Sequence, residues 1–255
     1  MNPLLDRLSI VMIQTSHPGN IGSAARAMKT MGISDLRLVQ PNKFNSPEVR
    51  ALASGADSIL DAAQHYDSLS AAIADCHCVI GTSARQQRHL RWPQLDARAC
   101  GQLVAERPPA QRIALLFGRE RSGLSNEELE HCHYLAHVPM AYDYFSLNIA
   151  AAIQLFCYEC MMATQAAPAA SASVHTPDSE HPDEGPASGA ELDAFYQHLE
   201  TTLTEVRYLD PDNPRLLMRR LRRLFSRAEP SRNEVNMLRG MLAAFQGRKF
   251  QRRSS

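Results

Sequence analysis

The chain has 255 residues, enough for one large domain with an appendage or for two modest domains. Hydrophobic residues make up 44% and charged residues 21%, which excludes a chain disordered over most of its length and is typical of a globular protein. The formal net charge is +0, yet residues 214–255 hold 12 basic and 2 acidic side chains. We expect this segment either to attract a polyanion such as RNA or to be a solvated helix face.

Short apolar runs alternate with amphipathic or Ala-rich stretches through the first part of the chain. The apolar runs predict buried strands at 8–13, 36–39, 78–81, 113–117 and 134–138. The stretches between them predict helices at 21–31, 69–74, 95–106 and 147–163. This alternation predicts an α/β fold, with a mostly parallel sheet flanked by helices on both faces.

Beyond this part the composition changes twice. Residues 165–190 are rich in Ala, Ser, Pro and acidic side chains, which predicts a flexible linker. Apolar side chains then recur at helical spacing in three sets, and Asn213 before Pro214 marks one helix start, while Ser231 with Glu234 forms a capping box for the last. The predicted domains are therefore 1–164, the linker 165–190 and a small, basic, three-helix C-terminal extension at 191–255.

The sequence shows no sign of membrane association or of a metal site. The N-terminus lacks a basic stretch followed by an apolar core, and no apolar run approaches membrane-spanning length. The spacing of the six cysteines does not fit a zinc finger, so we expect buried free thiols and no metal. Reduced thiols indicate a cytoplasmic protein.

The first motif, at 17–28, follows a predicted strand and opens a predicted helix. We expect Asn20 to cap this helix and Gly19 and Gly22 to let another backbone or a ligand come close. The helix N-terminus favours an anion such as phosphate, and Arg26, on the second predicted turn, could reach the same place. A plain tight turn is the alternative interpretation.

The second motif, Phe-Gly-Arg-Glu-Arg-Ser-Gly-Leu at 117–124, ends the strongest strand signal in the chain. Its two glycines and three charges lie at the carboxyl end of a strand, where α/β sheets bind ligands. A polar turn is the alternative, but such a turn does not need Arg-Glu-Arg directly after a core strand.

The third motif is Ser-Leu-Asn-Ile-Ala-Ala-Ala-Ile at 146–153. Ser146 is well placed to cap a long apolar helix. Asn148 is a polar residue in an otherwise apolar first turn, which indicates that its amide meets a ligand or another loop.

The order and spacing of these motifs resemble the SPOUT methyltransferases, specifically the SpoU-type branch. Segments 20–26, 117–124 and 146–148 resemble motifs one, two and three of that branch, and Gly-Thr-Ser-Ala-Arg at 81–85 resembles its additional cofactor loop. The similarity covers residues 8–164. It implies a trefoil knot in the C-terminal half of the domain, which no sequence pattern shows by itself.

The resemblance also implies an activity: S-adenosyl-L-methionine-dependent methylation of a ribose 2′-hydroxyl in RNA. Segments 26–32 and 118–121 are most similar to members that methylate cytidine or uridine at nucleotide 32, in the anticodon loop of tRNA. Three alternatives stay open: a ribosomal-RNA 2′-O-methyltransferase of this branch, a noncatalytic RNA-binding protein with this fold, and an unrelated α/β nucleotide-binding enzyme. The last would be favoured by a phosphate loop, which the sequence lacks.

The family's residue roles carry over to matching positions. Arg26 would lie beside the ribose 2′-hydroxyl, as the proton acceptor or as the group that activates the hydroxyl. Because arginine side chains keep their proton in proteins, the alternative is that Arg26 stabilises the developing alkoxide or orients a phosphate while the proton leaves by another route. Glu120 would orient Arg26 or the RNA, and Asn20, Ser146 and Asn148 would shape the catalytic site. The cofactor would contact the following residues, largely through their backbone: Thr82, Ser83, Ala84, Gly118, Arg119, Glu120, Val138, Met140, Ser146, Leu147 and Asn148.

The expected partners are tRNA and a second copy of the chain. The resemblance implies a site built across a homodimer, and the small side chains of the predicted helix at 147–163 would permit close packing against a twin. A monomer with a self-contained pocket is the alternative.

Overall fold

A computed structural model describes residues 4–84, 92–141, 147–166, 185–212 and 216–247. The chain divides into two compact units, the first ending at His175 and the second beginning at Thr176.

The described residues of the first unit form a seven-stranded parallel sheet in the order β3-β2-β1-β6-β4-β7-β5. The prediction of a mostly parallel α/β sheet is confirmed, and each of the predicted strands is present. The two edge strands were not predicted, because each has only three residues and most of these are exposed. The strands are β1 Leu8–Ile13, β2 Asp35–Val39, β3 Gln64–Tyr66, β4 Cys78–Thr82, β5 Gln94–Asp96, β6 Ile113–Phe117 and β7 Tyr134–His137.

Helices cover both faces of this sheet. Because successive strand residues point to opposite faces, Ile10 and Met12 of β1 pack in one core cluster and Val11 and Ile13 in another. The larger cluster includes apolar side chains of the first, fifth and seventh helices. The helices are α1 Pro18–Thr30, α2 Pro47–Ala53, α3 Asp57–Asp61, α4 Leu69–Ala72, α5 Ala97–Glu106, α6 Asn126–Leu129 and α7 Ile149–Ala166.

The close approach of α1 and α2 explains one glycine of the first motif. A Cβ atom at Gly22 would lie 2.0 Å from the carbonyl oxygen of Val49 in α2. Gly22 therefore makes room for another backbone, which is one of the two roles predicted for it, and this contact fixes α1 against its neighbour.

The second unit contains the three predicted helices, α8 Gly189–Glu205, α9 Leu217–Ala228 and α10 Arg232–Phe245. Ser231 and Glu234 form the predicted capping box of α10, and Ser188 with Glu191 forms another at α8. Phe195 is almost fully buried in the small core of this unit. The predicted helix start at Asn213 and Pro214 lies outside the described residues.

The predicted linker falls mostly on residues 167–184, which are also outside the described ranges, so the domain boundaries stay a prediction. At the N-terminal end of the second unit, Ala187 is buried and Pro186 forms an isolated antiparallel β-bridge with Ser231. Each of the six cysteines is a buried free thiol, as predicted. None of the described helices is long and apolar enough to cross a membrane.

The trefoil knot stays an expectation from the resemblance. In the part of the chain that the structure describes, no group of three or more His, Cys, Asp or Glu side chains is arranged to hold a metal ion.

Candidate active site

A pocket of about 750 Å³ lies at the carboxyl edge of the sheet, where β4, β6 and β7 end. The N-terminal ends of α1 and α7 complete its wall. Three segments far apart in the sequence therefore meet at one place. The predicted site residues among its lining are Asn20, Thr82, Ser83, Ala84, Gly118, Arg119, Glu120, Val138, Met140, Leu147 and Asn148.

The loop after β6 is tightly closed. The backbone N–H of Arg119 donates to the carbonyl of Gly123 (3.2 Å), and the N–H of Gly123 donates to the carbonyl of Arg119 (2.8 Å). A Cβ atom at Gly118 would lie 2.2 Å from the carbonyl carbon of Gly123, so only glycine fits there without moving the backbone. Gly118 thus lets the two sides of the loop touch beside the pocket.

The side chain of Arg119 supports this loop. Its guanidinium donates two hydrogen bonds to Glu128, each 3.0 Å long, and Nε donates to Oε1 of Gln14 at 2.8 Å. A paired guanidinium with these partners is held in place by geometry as well as charge. The side chain of Arg119 is therefore engaged with Gln14 and Glu128.

Glu120 caps the first helix from a distant part of the chain. Its carboxylate accepts hydrogen bonds from the backbone N–H groups of Ser16 and His17 (3.2 Å), the hydroxyl of Ser16 (2.8 Å) and Nδ2 of Asn20 (3.0 Å). Partial burial alone would raise the pKa of Glu120, but hydrogen bonds from its own backbone, Asn20 and Ser16 outweigh it and lower the pKa to about 2. The carboxylate is thus held ionised at the positive end of α1.

This arrangement corrects one prediction about the first motif and identifies the anion expected by another. Asn20 does not cap α1, because Pro18, with its fixed φ, begins the helix earlier than predicted and His17 stands at the cap position without a side-chain bond. The anion expected at the helix N-terminus is the chain's own Glu120 carboxylate.

The third motif is joined to the first by a pair of amides. Nδ2 of Asn148 donates to Oδ1 of Asn20 at 2.9 Å, while Oδ1 of Asn148 accepts from the backbone N–H of Ala150 at 2.8 Å and so caps α7. The amide of Asn148 was expected to meet a ligand or another loop, and in the structure it meets Asn20 in the first turn of α1. Ser146, predicted as a cap and as a site residue, lies outside the described residues.

Arg26 lies away from the pocket. It is exposed on the third turn of α1, not on the second turn as predicted, because the helix begins at Pro18. Six residues beyond Asn20 correspond to about 9 Å along the helix axis. Among the described residues, Arg26 is not part of the pocket lining and makes no hydrogen bond to Glu120.

Four polar residues of the lining were not predicted as site residues: His17, Arg121, Ser122 and His137. His17, Arg121 and Ser122 lie within the first two motifs, and that position is the signal by which the sequence could have indicated them. His137 directly precedes Val138 and carried no signal of its own. Arg121 is exposed and forms no ion pair with any residue that the structure describes.

The hydrogen bonds of Glu120 predict a pH-dependent contribution to stability. The pKa of Glu120 is depressed from 4.5 to about 2 in the folded protein, so its contribution is present above pH 4.5 and is lost as the pH falls toward 2. We expect Glu120→Gln to lower the melting temperature at pH 7 and the gap from wild type to shrink below pH 4.5. Thermal unfolding over a pH series measures this, with the exposed Glu106→Gln as control. A gap that stays constant with pH would contradict the assignment.

Comparisons with known proteins show the family to which the chain belongs. The SpoU rRNA Methylase family model matches residues 7–158, and the chain belongs to this family. A second family model, the C-terminal domain of tRNA methyltransferase TrmJ, matches residues 190–255. The two matches together include most of both units.

The similar proteins include enzymes that carry the TrmJ name. The tRNA (cytidine/uridine/adenosine-2′-O-)-methyltransferase TrmJ of Pseudomonas aeruginosa is 46% identical over 245 residues, which is 95% of each chain. The tRNA (cytidine/uridine-2′-O-)-methyltransferase TrmJ of Klebsiella pneumoniae is 46% identical over 95% of this chain and 98% of its own. The crystal structure of TrmJ from Z. mobilis superposes with a TM-score of 0.80 at 30% identity, over 93% of this chain and 98% of that one.

Proposed function

We propose that the protein transfers a methyl group from S-adenosyl-L-methionine to the ribose 2′-hydroxyl of cytidine or uridine at nucleotide 32 of tRNA. The observation that carries this proposal is the similarity to TrmJ enzymes over 95% of the chain, which extends through the basic C-terminal unit as well as the pocket. A ribosomal-RNA target would leave the match of that unit unexplained. A cytoplasmic location, where tRNA is found, is part of the proposal.

The pocket suits the proposed methyl donor. Its volume of about 750 Å³ lies in the usual range for small-molecule sites. The loop at Gly118 brings bare backbone to the pocket wall, while Thr82 and Ser83 offer hydroxyl groups and Val138 and Met140 offer apolar surface. This mixture fits a molecule with a nucleoside at one end and an amino acid at the other. When bound, S-adenosyl-L-methionine supplies a methyl group on a positively charged sulfur.

The chain's own task would then be to position the ribose. Glu120 fixes the start of α1, and the pair of Asn20 and Asn148 holds α1 and α7 together at the pocket. Precise placement of the 2′-oxygen lowers the barrier for its attack on the methyl carbon. The new C–O bond forms as the C–S bond breaks, and the hydroxyl proton leaves to solvent. Arg26 keeps its proton and stabilises the negative charge on the oxygen.

Because Arg26 lies away from the pocket of its own chain, we propose that it serves the pocket of a second copy in a homodimer. Helix α7 packs on α1 and presents an apolar stripe to solvent at helical spacing. The large side chains of this stripe, Leu155, Tyr158 and Met162, are 39%, 42% and 40% exposed. Such a row on a helix beside the pocket supports a symmetric interface.

A charge placed in the stripe should separate the two copies. We expect Tyr158→Glu to give a monomer that still binds S-adenosyl-L-methionine but has lost methyl transfer, because each pocket then lacks its Arg26. Sedimentation velocity gives the mass, and calorimetry gives the affinity. Gln102→Glu adds the same charge at an exposed site on α5 and should leave a dimer. A Tyr158→Glu protein that stays dimeric would remove the stripe from the interface.

The basic face of the second unit should contribute to tRNA affinity. Arg220, Arg227 and Arg239 are exposed and form no ion pair within the described ranges. We expect their combined replacement by Ala to weaken tRNA binding and to reduce the log–log salt slope by roughly 0.7–0.9 per lost phosphate contact. Binding measured across a salt series tests this, with Arg50→Ala on α2 as control. An unchanged slope would show that these arginines are a solvated face.

Methyl transfer itself is tested with labelled S-adenosyl-L-methionine and total tRNA from a strain lacking the gene. We expect label in ribose-methylated cytidine and uridine after nucleoside digestion, and none in ribosomal RNA supplied in parallel. Label found only in ribosomal RNA would overturn the proposal.

A further inference from the structure

A second pocket, of about 670 Å³, lies beside β2 and β3. It is lined by Pro41, Lys43, Phe44, Asn45, Ser46 and His65. None of these residues belongs to the three motifs of the candidate active site. Both pockets open where parallel strands end, which is the side of such a sheet that binds ligands.

The chemistry of this pocket combines aromatic faces with unpaired polar groups. The rings of Phe44 and His65 meet edge to face, with centroids 4.5 Å apart, and His65 is exposed on the edge strand. Lys43 and Asn45 are also exposed, and neither forms a hydrogen bond or ion pair with a described side chain. Aromatic rings that stack on bases, together with a cation for a phosphate, are the groups that bind single-stranded RNA.

Hydrogen bonds tie this pocket to the active-site loops. The backbone N–H of Asn42 donates to the carbonyl of Thr15 at 3.1 Å. Gln14 then connects both sites, because its Nε2 donates to Oε1 of Gln40 at 2.7 Å and its Oε1 accepts from Arg119 at 2.8 Å. The loop that carries Phe44 is therefore held at a fixed distance from the loop that carries Glu120.

That distance is short on the scale of an RNA strand. β3 is separated from β1 by β2, and β6 is the next strand beyond β1. At a spacing of about 4.8 Å per strand, the pocket lies roughly 10–15 Å from the active-site loops. A nucleotide in the same RNA loop as the target ribose can therefore reach the second pocket while the ribose lies in the active site.

We propose that the second pocket binds a base of the RNA substrate, from a nucleotide near the methylated one. The base stacks on the exposed ring of His65, which Phe44 supports edge to face, while Lys43 contacts a phosphate. The inference rests on the proposed function, since it takes the active-site ligand to be RNA. A free mononucleotide fits less well, because Lys43 is the one cationic lysine or arginine side chain among the described lining residues.

Steady-state kinetics with a tRNA transcript tests this subsite. We expect His65→Ala and Phe44→Leu each to raise KM for tRNA about 10-fold, with kcat and S-adenosyl-L-methionine affinity unchanged; a tenfold effect corresponds to about 1.4 kcal/mol, within the range of base stacking. Phe44→Trp, which keeps an aromatic face, should restore a KM near wild type. Gln64→Ala changes a neighbouring exposed position of the same strand and is the control.

A binding measurement separates the subsite from the activity. Fluorescence of the Phe44→Trp variant should be quenched on addition of tRNA, well beyond any change in the unsubstituted protein, whose single tryptophan is Trp92. If wild type methylates tRNA while KM of His65→Ala and Phe44→Leu stays unchanged and no quenching occurs, the subsite is wrong and the proposed function stands. If wild type does not methylate tRNA, the proposed function fails. Should Phe44→Leu not fold, His65→Ala and Lys43→Ala decide the kinetic test.

Discussion

Replacing Arg26 by Ala should lower kcat for tRNA methylation by about 100- to 1,000-fold, the size of effect seen when a group that stabilises developing negative charge is removed. Folding and S-adenosyl-L-methionine affinity should stay close to wild type, because Arg26 is exposed on α1 and does not line the pocket of its own chain. Arg26→Lys should lower kcat for methylation as well, since lysine lacks the planar guanidinium that can hold two oxygens at once.

Single-turnover rates, with cofactor affinity measured by calorimetry, test this expectation. Arg98→Ala removes an exposed arginine from α5 and serves as the matched control. Near-normal turnover by Arg26→Ala would take Arg26 out of the mechanism.

Gly118→Ala should disturb the loop after β6, which forms one wall of the pocket. The added Cβ would lie 2.2 Å from the backbone of Gly123, so the loop must open and the pocket wall must move. We expect S-adenosyl-L-methionine affinity to fall by about 10-fold or more, an energy of at least about 1.4 kcal/mol. Calorimetry measures the loss, and Gly185→Ala, where an added Cβ meets nothing within 4 Å, is the control. Unchanged affinity would show that the loop does not form the cofactor site.

Mixing the Arg26→Ala and Gly118→Ala proteins tests whether each active site is built from both copies of the chain. A dimer of one Arg26→Ala chain and one Gly118→Ala chain has one pocket with an intact loop that meets an intact Arg26. Random exchange of subunits should therefore restore about a quarter of wild-type activity if each site uses both copies. No recovery in a mixture shown to contain mixed dimers would place Arg26 with the pocket of its own chain.

The sequence predicts the centre of the sheet closely, because a fully buried strand shows itself as an unbroken apolar run. β1 and β6 begin and end at the predicted residues, and every residue of both is buried. β3 has no such run, because its three residues are too few to show a pattern and are largely exposed. The edges of the sheet therefore could not be predicted in the same way.

The motifs indicated which residues meet, but not what they do for one another. Glu120 lies 103 residues from His17 in the sequence, and no local pattern reveals that its carboxylate caps α1. Local propensity favoured Asn20 as the cap, and the early helix start at Pro18 overrode it. The same shift moved Arg26 to the third turn, so its separation from the pocket became visible only in three dimensions.

If the methyl group goes to one ribose hydroxyl of tRNA, a tRNA with 2′-deoxyribose at nucleotide 32 should not accept it. Its base and the rest of the RNA are unchanged, so binding should persist while the acceptor oxygen is missing. We predict that wild-type protein transfers labelled methyl to the all-ribose tRNA and none to the deoxy-substituted one. Equal incorporation into both would show that the methyl group has another acceptor and that the 2′-hydroxyl of nucleotide 32 is not the target.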